Sequence, residues 1–359
     1  MGVAHTRYAR EDILMSTGPE PSRRSGRSPL QRFSAEQWGQ QKPTYRDANP
    51  ALIGAVLRWS QQRPSGNWYA FAASRSIRRD RPYGTTVGGV EIVAWRDGDN
   101  TLHVGPGACP HLGADLATAR VDDATLICRW HGMRVGDNGS ARWCPFPSHD
   151  DGVLAWVRLD ALGEETPTDA PILGARPADC TVHAVTRLIG VCEPADIIAN
   201  RLDPWHGAWF HPYSFARLHV TRTPPRTGIT ADNHRFVLAV TFRVARGIGV
   251  PVEAEFTSPD PRTIVMRIVS GEGVGSVVET HATPLSPGSD GLPRTAVVEA
   301  VVADSERPGF RYARRATPLL RPFMNYAMRR LWRDDLAYAE RRYHLRRSKS
   351  STRPPQPHA

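Results

Sequence analysis

Two short loops constrain this chain more than anything else in it. Cys109-Pro-His111 is followed, after sixteen residues, by Cys128-Arg-Trp-His131, which gives the pattern C-x-H-x16-C-x2-H. Two thiols and two imidazoles in paired, tight spacings suit a metal centre, and a tetrahedral zinc site uses such a set. The alternating order within each pair also suits a second arrangement. Each loop can give its Cys to one iron and its His to another, as a two-iron cluster requires when one iron is held by a pair of cysteines and the other by a pair of histidines.

The surrounding texture is that of a small all-β unit. Trp68–Phe71, Val90–Trp95, Thr101–Val104, Thr125–Cys128 and Val153–Arg158 read as short strands. Turns at Gly98-Asp-Asn100 and Gly136-Asp-Asn-Gly139 separate some of them. The two metal loops then share one tip, with the His edges near the surface. Upstream, Pro50–Trp59 reads as a helix with Asn49 as N-cap and Pro50 at the first helical position. Residues 1–48 are polar and Pro/Arg-rich and are expected to form a loosely ordered tail.

A second constellation lies at Asn200-Arg-Leu-Asp203-Pro-Trp-His206-Gly-Ala-Trp-Phe-His211-Pro. Asp203 and His206 share a helix face. His206 and His211 stand about 140° apart on a regular helix, so convergence on one ion needs a distorted turn. Gly207 and Pro212 allow one. Two His and a distant carboxylate form the facial set used by non-haem Fe(II). From 227 to 304 alternating Thr, Val and Ile predict a large antiparallel sheet. From Pro308 to about Arg346 the period is helical, with an Arg-rich polar face; its apolar stripe is expected to pack on the sheet, although such a face could also touch a membrane surface.

Composition limits the alternatives. The 359 residues suffice for two domains. The net charge is +10, and Lys occurs only at 42 and 349, an arginine bias that reads as a GC-rich genome. No base-reading module is visible, so nucleic-acid binding is not expected; a basic surface would instead steer an acidic redox partner. Of five cysteines, Cys144, Cys180 and Cys192 have no paired spacing and are expected to be buried thiols. An odd count without a disulfide framework points to a reducing cytoplasm. No secretory signal is expected, and no apolar run approaches the roughly 20 residues of a membrane span.

Cys-Pro-His-Leu-Gly-Ala-Asp-Leu and Cys-Arg-Trp-His-Gly resemble the two cluster-binding loops of Rieske [2Fe–2S] domains. The following D-x2-H-x4-H resembles the signature of Rieske non-haem iron oxygenases of the ring-hydroxylating alpha-subunit type. Neither loop carries the extra Cys of the respiratory Rieske proteins. With the arginine bias, the resemblance suggests an actinobacterial source. It implies an α+β chain: a Rieske domain (49–160, with its N-terminal helix), a linker (161–175), a helix-grip catalytic domain with a curved antiparallel sheet and a long C-terminal helix (176–346), and a tail (347–359).

The resemblance also implies the site. Cys109, His111, Cys128 and His131 would hold the cluster. His206, His211 and a late Asp would hold mononuclear Fe(II); the match falls on Asp335, with Asp334 as fallback. Asp203 would bridge a cluster His, here His131, to His206 as an electron-transfer link. Family members work as head-to-tail homotrimers, fed from NAD(P)H through a flavin reductase, a ferredoxin or both. No dinucleotide fingerprint lies in this chain, since Gly88-Gly-Val-Glu and Gly271-Glu-Gly-Val-Gly lack the strand-to-helix context. The implied activity is oxidation by O2 of a hydrophobic small molecule such as a terpenoid, carotenoid, steroid or aromatic. The competing readings are an electron carrier or lipid-binding protein without a working mononuclear site, and a binding protein with structural zinc.

Overall fold

A computed structural model describes residues 28–34, 41–136, 143–177 and 181–351. The turn expected at Gly136–Gly139 lies largely outside these residues, as does Cys180.

The chain first touches the fold earlier than expected. A two-residue strand, β1 (Gln31–Arg32), pairs with Gly249 and Ile248 inside the stretch read as a tail, and Phe33 beside it is buried. Helix α1 (Pro50–Ser60) begins as its cap predicts. The Asn49 side chain accepts from the Ala51 and Leu52 amides at 3.0 and 3.1 Å, and Pro50 has no amide to leave unpaired. Asn49→Ala is expected to cost about 1 kcal/mol, read as a lower urea midpoint with unchanged slope.

Three small antiparallel sheets follow: β2 (Trp68–Ala73) with β10 (Leu154–Arg158) and β9 (Ser148–Asp150); β3 (Tyr83–Val87), β4 (Val90–Arg96) and β5 (Leu102–Pro106); and β6 (Arg120–Asp122), β7 (Thr125–Ile127) and β8 (Arg134–Gly136). One core, including Phe71, Ile92, Val104 and Val157, fills the space between the first two sheets. A second, around Trp95, Leu116, Leu126 and Trp143, lies under Cys109 and Cys128. Trp143 is anchored by its indole N–H on the Pro106 carbonyl at 3.0 Å. Apolar burial of this kind is what lets three-residue strands hold a loop rigidly.

The stretch read as a linker is partly structured. A short helix α2 (Asp160–Gly163) opens it, and the Glu165 carboxylate accepts from the Ser65 amide at 3.0 Å.

The second half is an eight-stranded antiparallel sheet. Its order is β11 (Val182–Gly190), β17 (Thr295–Ala303), β16 (Val277–Pro284), β15 (Thr263–Gly271), β14 (Ile248–Asp260), β13 (Phe236–Ala245) and β12 (Phe215–Arg222), with β1 added beside β14. The period-two alternation in the sequence is that of a sheet with one face on a core. That core is Phe236, Leu238, Ala254, Ile264 and Ala282 packed against α1 and two further helices. These are α3 (Pro194–Arg201) and, after a short turn helix α4 (Gly207–Phe210) and the six-residue α5 (Phe310–Arg315), the long α6 (Thr317–Ser351). Helix α6 continues past Arg346, so the chain expected as a tail from 347 is helical as far as it is described. Its buried stripe is Met328, Trp332, Leu336 and Ala339.

The opposite face of the large sheet carries the first half of the chain. Trp68, Ala70, Leu154 and Trp156 pack on Val185, Val298 and Ala300. Arg176 spans the junction, with two guanidinium nitrogens 2.7 Å from the Glu279 carboxylate and the third 3.0 Å from Asp151.

Candidate metal centres

The two Cys/His loops are built alike. The Cys109 amide donates to the Ala114 carbonyl and the Gly113 amide donates back to the Cys109 carbonyl, both at 2.8 Å. In the second loop the Cys128 amide donates to Met133 at 2.8 Å, and Gly132 donates to Cys128 at 2.9 Å. Each circuit needs its glycine, at φ 76° for Gly113 and 72° for Gly132, where a Cβ would be strained. Both thiols are 3% exposed, whereas His111 and His131 lie on the surface. Their rings are 4.8 Å apart and nearly perpendicular. Burial raises the Cys109 thiol above its ordinary value, and Cys128 beside it adds to the effect. A cationic metal cluster relieves that penalty by taking both as thiolates. The donor set therefore fits a cluster with a buried sulfur side and an exposed imidazole side.

The second constellation converges through the distortion its spacing demands. Asp203 caps a single 3-10 turn (Pro204–His206), its Oδ1 accepting from the Trp205 amide at 3.2 Å, and α4 follows. His206 and His211 thereby aim at one point on α6. Asp335 Oδ1 lies 3.2 Å from His206 Nε2 and 3.0 Å from His211 Nε2. These three side chains form a group that could hold a metal ion, with ligand atoms within 4.8 Å of one another.

The remaining ring nitrogens are occupied elsewhere. His206 Nδ1 abuts the Asp203 carbonyl. His211 Nδ1 lies 3.3 Å from the Tyr213 hydroxyl and 3.5 Å from Asp334 Oδ2. Those contacts leave the Nε2 lone pairs for a metal. Asp334, the fallback ligand, sits on the far side of His211, where it accepts from the Tyr213 hydroxyl at 2.6 Å. The structure thus separates the two adjacent acids: Asp335 points inward and Asp334 stands behind a histidine.

Burial opposes ionisation of Asp335, but His206 and His211 outweigh it and hold the carboxyl far below its usual range. Asn200 was not singled out by its sequence. Its Nδ2 donates to Asp335 Oδ1 at 3.1 Å, and its buried Oδ1 has no hydrogen-bond partner among the described residues. A buried orphan acceptor beside two imidazoles and a carboxylate fits a hydrated cation. Asn200 lies on the last turn of α3, three residues before Asp203.

Asp203 is placed beside His206 rather than bonded to it. Its carboxylate is 3.9 Å from His206 Nδ1, and its Oδ2 accepts from Tyr338 at 3.3 Å. The expected ring N–H bond goes to the Asp203 carbonyl instead. Burial raises the Asp203 carboxyl, and burial with Asp203 pushes Tyr338 up to about 12. Cys144, expected buried, is exposed, and Cys192 is buried.

The first half, residues 67–158, matches the Rieske [2Fe-2S] domain, and the whole has the fold of Rieske oxygenase alpha subunits, a Rieske domain followed by a large antiparallel sheet and a C-terminal helix. Residues 162–350, more than half of the chain, match the domain of unknown function DUF5914, and the chain belongs to that family. Among curated relatives, it is 25% identical over 166 residues to the oxygenase component of 3-ketosteroid-9-alpha-monooxygenase from Rhodococcus rhodochrous, covering 41% of each chain. It is 33% identical over 201 residues to the chloroplastic protein TIC 55 of Arabidopsis thaliana, covering 50% of this chain and 34% of that one. The matches thus span well under half the length of these relatives. Among solved structures, dicamba monooxygenase bound to dicamba superposes with a TM-score of 0.55 at 16% identity, covering 81% of this chain and 92% of that one; this likeness is one of fold.

Proposed function

We propose that this chain is the terminal component of a Rieske-type oxygenase that oxidises a hydrophobic small molecule with O2. One observation carries the reading: both Nε2 atoms, from His206 and His211, lie within 3.2 Å of a single Asp335 oxygen, in a chain that also holds a Rieske domain. When bound, the mononuclear iron would activate O2 and the cluster would supply single electrons.

The chain's own residues hold the arrangement. Asp203 and Tyr213, with Asp334, fix the two histidine rings by their Nδ1 sides. Asn200 orients the Asp335 carboxylate. His111 and His131 present the cluster's exit edge to solvent, flanked by the exposed Leu112 and Trp130. That apolar tip supports docking on another copy of the chain, the head-to-tail homotrimer, with Asp203 at the receiving end. Electrons originating from NAD(P)H would arrive through a separate reductase or ferredoxin, which the net charge of +10 favours if that partner is acidic. The relatives act, by their names, on a 3-ketosteroid and on dicamba; for this chain the substrate class is an apolar ring compound or terpenoid. A cytoplasmic, actinobacterial setting accords with free thiols and the arginine bias.

The test is metal content. Anaerobically purified protein is expected to hold about three iron and two sulfide per chain. About two iron and two sulfide, unmoved by added Fe(II), would establish an electron carrier instead. Zinc without sulfide would overturn both.

A further inference from the structure

Helix α6 carries two apolar stripes, and among the described residues only one of them is packed. The inner stripe, Met328, Trp332, Leu336 and Ala339, is buried on the sheet and α3. The outer stripe runs Leu319, Phe323 and Tyr326, at spacings of four and three, on the opposite side of the helix. These side chains are 74%, 74% and 64% exposed, and Tyr312 on α5 extends the row at 57%. The apolar stripe expected on the sheet is there from Met328 onward, whereas in the first three turns Leu319, Phe323 and Tyr326 face away from it.

The same segment is one-sided in charge. Between Glu306 and Asp334 the chain carries eight arginines and no carboxylate. Some are used internally: Arg321 donates to the His183 carbonyl at 3.1 Å, and Arg330 stacks on Tyr213 at 3.7 Å. Arg311, Arg315 and Arg333 are exposed along the flanks of the outer stripe.

We infer that the outer face of α5 and the first half of α6 docks on an anionic lipid surface. Exposed Leu and Phe flanked by Arg and Tyr are the composition of a helix lying in a membrane interface, where the aliphatic stems of Arg reach past buried apolar groups to the headgroups. The acid-free segment disfavours pairing of this face with the same face of a second copy, because two such faces bring only positive charge together. An acidic protein would satisfy the charge but would also have to supply a groove for knobs on a convex helix; a fluid bilayer needs none. No helix among the described residues is long and apolar enough to cross a membrane, so the contact is interfacial. The outer stripe continues through Arg330 to Asp334, which touches His211. A bilayer held at Leu319 to Tyr326 would lie about 12 Å along the helix from Asp334, near enough to deliver a lipid-soluble substrate towards the candidate iron site. This delivery role rests on the proposed oxygenase activity; the docking itself does not.

The experiment is vesicle flotation of the full chain with phosphatidylcholine alone and with phosphatidylcholine mixed with phosphatidylglycerol. Binding is expected to the anionic vesicles and to fall with salt. The double substitution Leu319→Ser/Phe323→Ser, and separately Arg311→Gln/Arg315→Gln, should each weaken it about tenfold. Thermal unfolding and solution mass are measured on the same samples, and the arginine variant serves if the apolar one misfolds. Equal binding to both vesicles, no binding, or unchanged binding by a folded variant would overturn the inference. So would a change of solution mass in Leu319→Ser/Phe323→Ser, which would assign the face to another copy. The readout needs no iron, so its failure leaves the metal-centre reading untouched, and failure of the metal assay leaves this one standing.

Discussion

Asp335→Ala is expected to remove one iron per chain and leave the cluster in place. Iron should fall from about three to about two while sulfide stays near two and the reduced-cluster spectrum is unchanged. The retained spectrum also reports that the chain has folded. The effect is large because one carboxylate oxygen completes the site: Asp335 Oδ1 is the atom both Nε2 groups approach. With alanine there, two neutral imidazoles are left as donors, too few for a facial Fe(II) site. Asp334→Ala is the comparison. That carboxylate touches only the Nδ1 side of His211 and the Tyr213 hydroxyl. Its loss should weaken iron binding about ten- to a hundredfold without abolishing it. If the two variants exchange these outcomes, the ligand is Asp334 and the helix register around it must differ.

Glu279→Gln is expected to destabilise the fold by roughly 3 kcal/mol or more at neutral pH. Glu279 is buried, receives Arg176 at 2.7 Å through both oxygens, and faces His281 Nε2 at 3.3 Å. The amide cannot balance the guanidinium, which is left buried with only Asp151 opposite at 3.0 Å. The pH dependence follows. Burial would raise the Glu279 carboxyl, but Arg176 and His281 outweigh it and bring it from 4.5 to about 2. A carboxyl lowered on folding stabilises fully above its unfolded value. The contribution is lost as pH falls through 4.5 toward 2, and that displacement corresponds to roughly 3 kcal/mol. Urea unfolding at about pH 7 and near pH 3 should show the acid loss in the parent and a flatter profile in Glu279→Gln. An equally steep acid loss in the variant would place the sensitivity in other carboxylates.

The chemistry-bearing residues were more legible than the frame that positions them. Cys109, His111, Cys128 and His131 stand out because a ligand set would fix residue type and spacing together. The strands of the large sheet were legible because burying one face imposes a period of two. Strands β6, β8 and β9, three residues each, are too short to show any period, and β1 is shorter still. The edge strand β12 was missed because half of it faces solvent on both sides. Periodicity also cannot say which of two apolar stripes on α6 meets the sheet. The resemblance pointed to Asp335 with Asp334 as fallback, but composition alone does not separate two adjacent acids. On a helix they point about 100° apart, and only the packing of Trp332 and Leu336 turns Asp335 inward. Asn200 and Tyr213 act through other side chains, a role that no spacing rule records.

The twin hydrogen-bonded circuits around Gly113 and Gly132 have a consequence for where such a chain can work. The mouth that would hold the cluster is tied by backbone amides, and Cys109 and Cys128 are both free thiols. No disulfide between the loops would have to form before a cluster is assembled there or survive while electrons pass. Thiol reductants therefore have nothing to cut in this part of the molecule. Its folding is independent of the oxidising machinery that a disulfide-braced mouth would depend on.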